Sequence, residues 1–160
     1  NAFSVSIATF VAQNLGAQKF DRVKQSIVSC MILDFVLSSG LSVFFFSTSQ
    51  FLLHLFTNDS FVIDQALQVM NAIAPYYWIV PIYEVLASSL RGMNDVFVCM
   101  IINIIGLCGV RAAWIFFLIK HPSNIYQIII SCPVSWVFTA ICTTLYFIYN
   151  FPRLMKKLKI

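Results

Sequence analysis

Four apolar runs dominate the sequence: residues 26–48, 68–90, 96–119 and 125–149. A hydrocarbon core of about 30 Å is crossed by roughly 20 helical residues at 1.5 Å each. Each run is long enough to do so. A fifth run, residues 2–15, is shorter and closes on the polar pair Gln13-Asn14. It is read as the tail of a further helix. The runs are continuous and show no strict period of two, which argues against a β-barrel. Composition removes the soluble alternative. The chain is 60% hydrophobic and 10% charged, where a soluble domain has about 25% charged residues. That is too little charge to coat a water-facing surface. The expected fold is all-α: a polytopic transmembrane helix bundle with four complete spans plus the end of a fifth.

The connections between the runs are short and polar. Residues 16–25, GAQKFDRVKQ, form the first. Residues 49–67 form the second, with FLLHLF read as a short interfacial segment before Thr57-Asn58-Asp59. RGMND (91–95) and KHPSN (120–124) read as tight turns. Of the ten Lys and Arg, eight fall on one side of the membrane: Lys19, Arg22, Lys24, Arg91, Arg153, Lys156, Lys157 and Lys159. Lys120 alone falls on the other, and Arg111 lies within a span. The positive-inside rule makes the first side cytoplasmic, together with the C-terminus. The basic tail sets topology and touches anionic lipid; nucleic acid is not an expected partner. The chain starts at Asn1 in an apolar stretch with no basic segment before it, as expected of the C-terminal piece of a longer protein and not of a signal peptide.

Ionisable groups inside a bilayer are costly and mark function or specific pairing. Three occur here: Asp34, Glu84 and Arg111. Counted at 1.5 Å per residue, Glu84 lies about 10 Å and Asp34 about 13 Å from the cytoplasmic ends of their helices, so they can share a level. Arg111 lies about 22 Å in, too far for direct pairing with Glu84 unless a helix is broken. On an unbroken helix Tyr77, Glu84, Ser88 and Arg91 share one face, with Pro81 near it as a possible kink. Glu84 is read as an acid that binds a cation or exchanges a proton, against the alternative of a structural acid bonded to a neighbouring helix. Asp34 is the second such candidate; Ser38, Ser39 and Ser42 around it favour plain helix packing. Arg111 is read as structural. Ser131, Ser135, Thr139 and Thr143 repeat every four residues and read as a packing stripe, with Gly106 and Gly109 doing the same in the preceding run. Pro133 interrupts the last run and marks a bend.

No phosphate loop, nucleophile elbow or zinc spacing is present, and the five cysteines are scattered through apolar runs. No enzymatic activity, metal or organic cofactor is expected.

Three segments together resemble the multidrug and toxic compound extrusion (MATE) transporters. They are Val11-Ala12-Gln13-Asn14-Leu15-Gly16-Ala17 with Asp21-Arg22, then Leu90-Arg91-Gly92 with Asn94-Asp95, then Pro133-Val134-Ser135-Trp136. The resemblance covers nearly the whole chain. It implies that residues 1–160 are part of the C-terminal lobe of a twelve-helix protein, comprising the end of the eighth helix and helices nine to twelve. The amino-terminal lobe would be the partner that completes the cavity. It also implies a multi-pass plasma-membrane protein, expected to be bacterial, that exports organic cations and drugs in exchange for Na⁺ or H⁺. Tyr77, Ser88 and Asn103 are the expected cavity contacts, Glu84 and Asp34 the ion-handling acids, and Pro81, Pro133, Gly92 and Arg111 the structural or hinge positions. A polysaccharide or lipid flippase of related architecture, and a membrane scaffold subunit, are the alternatives.

Overall fold

The computed structural model describes residues 2–118 and 125–158. The predicted 120–124 turn, with Lys120, and the tail residue Lys159 lie outside them. Among the described residues the chain is helical, with no strand. The helices are α1 (Ala2–Gly16), α2 (Phe20–Phe56), α3 (Ser60–Ile73), α4 (Val80–Gly92), α5 (Val96–Asn103), α6 (Val110–Ala113), α7 (Ile125–Ile129) and α8 (Ser131–Leu158). A 3₁₀ segment, Ala74–Ile79, joins α3 to α4, and two π segments, Ile104–Gly109 and Trp114–Leu118, flank α6.

Three helical rods are long and apolar enough to cross a membrane: Phe20–Phe56, Val96–Phe117 and Gln127–Lys156. The first corrects two expectations. Residues 20–25 are helical, so the first connection shrinks to Ala17–Lys19, and FLLHLF continues α2 without a break. Nothing in 51–56 stops a helix; Thr57, with extended backbone, does. At 37 residues, α2 is about 55 Å long and outreaches the hydrocarbon core.

The expected 68–90 span is not one helix. Two prolines explain the break. Pro75 and Pro81 have no N–H, so α geometry would leave the carbonyls of Asn71 and Tyr77 without donors. The chain tightens instead: Val80 N–H donates to Tyr77 O three residues back. The discontinuity therefore begins well before Pro81, which sits in the first turn of α4. Pro133 likewise sits in the first turn of α8, just after the helix resumes at Ser131.

Helix α4 is the hub. Val85, Leu86, Ser88, Ser89 and Leu90 are all buried in it. Its Val85 and Leu86 join Ile7 and Val11 of α1 and Val23 and Ile27 of α2 in one core, and Phe147, Phe151, Leu154 and Met155 of α8 pack against it. Only 6% of the apolar stretch of α2 is buried against 39% of that of α8, so α2 is peripheral and its Val28, Ile32, Val43, Phe44 and Phe46 form a lipid-type surface.

Two turns are built alike. After α1, Lys19 N–H donates to Asn14 O (2.9 Å) and Gln18 N–H to Leu15 O (2.9 Å), with Gln18 at φ 56°. After α4, Asp95 N–H donates to Leu90 O (3.0 Å) and Asn94 N–H to Arg91 O (3.0 Å), with Asn94 at φ 67°. Both are Schellman ends, which satisfy the last helical carbonyls through one left-handed residue. Leu15 beside the first turn, Met93 in the second and Leu154 of α8 share the same core cluster. Three of the segments that carry the basic residues thus gather at one end of the bundle.

The rod Val96–Phe117 and α8 run antiparallel. Near one end Tyr146 Oη donates to Asp95 Oδ2 at 2.6 Å. Farther along, Gly106 lies against Thr139 so closely that a Cβ there would sit 3.1 Å from Thr139 Cβ. Ser131, Ser135, Thr139 and Thr143 are all buried, so the four-residue stripe is a packing surface. Gly109 takes no part in it: an added Cβ would meet only its own helix, at 3.8 Å and beyond. A hydrogen bond to a charged acceptor contributes about 1.5–3 kcal/mol. Tyr146→Phe is therefore expected to lower the midpoint of thermal unfolding, measured on the detergent-solubilised protein, and Asp95→Asn to do so less. An unchanged midpoint in Tyr146→Phe would remove this tie from the account.

Candidate functional site

The two candidate acids lie on α2 and α4, helices that are in contact. Asp34, on α2, and Glu84, on α4, are each half-buried and lie within electrostatic reach of one another. One hydroxyl holds Asp34: Ser38 Oγ donates to its Oδ1 at 3.4 Å, a long bond. Glu84 carries its neighbourhood through the backbone, its carbonyl accepting from Ser88 Oγ at 2.7 Å. Like charges in a low-dielectric setting repel, and a proton or a cation between them relieves that cost. Among the described residues no group of three or more His, Cys, Asp and Glu is placed to hold a metal ion.

The other sequence candidates divide. Ser88 is fully buried, donating to Glu84 O and accepting from Arg91 Nη2 at 2.5 Å. Tyr77 has left their face. It lies in the 3₁₀ segment, where each residue advances roughly 120° instead of about 100°, so the phase counted from an ideal helix is lost. Its half-exposed ring packs edge-on against Trp136 of α8, centroids 5.6 Å apart. Asn103, on α5, faces inward with Oδ1 buried and unpaired, as is Oγ1 of Thr143 on α8. Arg111 is anchored: its Nε donates to Ser135 Oγ at 3.0 Å, tying α6 to α8. Gly92 is a close-packing position, where an added Cβ would come within 2.5 Å of Ala8 O in α1.

Two contributors were read differently from the sequence. One is Ser38, expected to serve helix packing, which bonds to Asp34 and lines an apolar cavity that Tyr77 also lines. The other is the break at 74–79, signalled by two prolines six residues apart in APYYWIVP.

With this geometry in place, the comparison with known families is decisive. The family model MatE matches residues 1–117, from α1 through the helix that carries Arg111. The chain belongs to the MatE family. MatE proteins are membrane transporters, in keeping with three apolar rods of spanning length. The matched region contains Asp34, Tyr77, Glu84, Ser88, Asn103 and Arg111; Pro133 and the stripe on α8 lie beyond it. No curated protein and no solved structure matches the chain.

Proposed function

We propose that this MatE chain is part of an ion-coupled antiporter that exports organic cations or drugs across the plasma membrane in exchange for Na⁺ or H⁺. The observation that supports the reading is that Asp34 of α2 and Glu84 of α4, on two helices in contact, are each half-buried and within electrostatic reach of one another. Two acids that share a site cannot both stay charged cheaply, so occupancy by a proton, a metal cation or an organic cation becomes mutually exclusive. Mutual exclusion at one site is the essence of exchange. Lobe movement, as in other repeat-built transporters, would carry the site between the two faces. The basic end of the bundle is assigned to the cytoplasm by the charge rule.

The flippase alternative calls for a cationic cavity to receive an anionic lipid or saccharide phosphate. The intramembrane cation Arg111 is engaged by Ser135, which favours the antiporter. A scaffold has no use for half-buried acids. Binding of a fluorescent organic cation to the purified full protein tests the proposal. Displacement by Na⁺ or by lowered pH is expected; binding insensitive to both would contradict it.

A further inference from the structure

The seam between the rod Val96–Phe117 and α8 holds two polar atoms that bond to nothing. Among the described residues, Asn103 Oδ1 and Thr143 Oγ1 are buried side-chain oxygens without a hydrogen-bond partner. Thr143 is only 1% exposed. Its neighbours in the stripe behave differently. Ser135 Oγ donates to Cys132 O and Thr139 Oγ1 to Ser135 O, each at 2.7 Å. Turning back onto a carbonyl of the same helix is the ordinary way for a buried helical hydroxyl to be satisfied. Thr143 departs from it.

The two oxygens lie at one level of the seam. The rods are antiparallel, and Gly106 packs on Thr139. Asn103 comes three residues before Gly106 and Thr143 four residues after Thr139, spacings that keep each on the face already in contact. At 1.5 Å per residue the two steps run about 4.5 Å and about 6 Å, both toward the Tyr146–Asp95 bond. The surroundings are small and closed. Cys99, one turn before Asn103 on the same face, is 2% exposed, and Gly106 has no side chain.

We propose that Asn103 and Thr143 form a buried water site, in which one water bridges the rod Val96–Phe117 to α8. A buried polar atom without a partner forfeits its whole hydration, and buried waters sit where two to four such groups converge. Water suits this pair. It donates to the amide oxygen of Asn103, and it donates to the Thr143 hydroxyl or accepts from it. A metal cation does not suit it: both groups are neutral, and Asp95, the carboxylate on this seam, already accepts from Tyr146. An organic ligand needs more room than the contact of Gly106 with Thr139 leaves. The bridge is a third tie along the seam, between Tyr146–Asp95 and Arg111–Ser135. It does not depend on what the protein transports.

The test uses the full protein in lipid nanodiscs with two readouts. The first is millisecond radiolytic labelling, in which a held water yields hydroxyl radical beside its neighbours. Cys99 is shut off from bulk solvent, so its labelling reports local water. Cys99 is expected to label in the wild type and several-fold less in the double variant Asn103→Leu/Thr143→Val. Met93, buried in the core of α1, α2 and α4, is expected to stay equally low in both. The second readout is the midpoint of thermal unfolding. Thr143→Val and Asn103→Leu are each expected to lower it by several degrees, since each leaves the other group under-bonded, and the double variant to recover most of the loss. Single variants that raise the midpoint would mean dry, unpaired atoms and overturn the site. Losses that add in the double variant would mean packing defects and overturn it as well. Coupled losses with Cys99 unlabelled in the wild type would mean a direct Asn103–Thr143 bond and no water. Equal Cys99 labelling in wild type and double variant would put the water elsewhere. Should the double variant not fold, Thr143→Ser decides against Thr143→Val: the hydroxyl variant is expected to keep the Cys99 labelling and the valine variant to lose it, and equal labelling in the two would overturn the bridge.

Discussion

Gly92→Ala is expected to cost most of the folded protein. Its Cβ would fall 2.5 Å from the backbone oxygen of Ala8, 3.0 Å from Val11 Cβ and 3.1 Å from Ala8 Cα. Two of these three are backbone atoms, which cannot rotate away, so α1 and α4 must separate. The contact they share is the most extensive in the bundle and contains Val11, which is fully buried. Forcing an extra carbon into a packed interface costs roughly 1–3 kcal/mol, a large share of ordinary stability. The expected result is a several-fold drop in monodisperse protein after detergent extraction. Gly40→Ala is the control: nothing lies within 4 Å of its added Cβ, and its yield is expected to match the wild type. Equal yields for the two variants would show that α1 and α4 are not locked at this point.

The second large effect concerns chemistry and not folding. Glu84→Gln in the full protein is expected to lower cellular efflux of organic cations at least tenfold without lowering membrane abundance. The amide keeps the size of the side chain and removes the charge within electrostatic reach of Asp34. Ser88 bonds to the Glu84 carbonyl and not to its carboxylate, so the local packing survives the change. Asp34→Asn is expected to act in the same direction. On the proposal that the two acids form one site, the double variant is expected to be no worse than the more impaired single one. Additive losses would mean two separate sites. Asp21→Asn, in the first turn of α2 beyond the membrane acids, is expected to have no effect. Efflux by Glu84→Gln that equals the wild type would remove the carboxylate from the mechanism.

The sequence made the class of fold plain because a membrane leaves few choices. Long apolar runs can only be helices there. The serine–threonine stripe was equally legible: a period of four in small residues has one common use between membrane helices, and all four are buried. Helix ends were less so. Charged residues near Phe20 suggested a loop, yet the N-terminal turn of a helix tolerates them when it projects past the lipid. The 3₁₀ link was misplaced because attention to Pro81 alone put a kink where two prolines together make a segment. That shift moved Tyr77 off the face of Glu84 and onto Trp136 and the cavity. The proximity of Asp34 and Glu84 was within reach, since equal depth follows from counting residues. That they lie within electrostatic reach of one another was not, since it depends on the rotation of α2 against α4, which only packing sets.

The most direct measurement is gradient-driven transport by the full protein in liposomes. An imposed Na⁺ or proton gradient is expected to drive a fluorescent organic cation in the opposite direction, and Glu84→Gln is expected to abolish that driving without preventing reconstitution. Cation movement that ignores both gradients, or that Glu84→Gln carries as well as the wild type, would contradict the account.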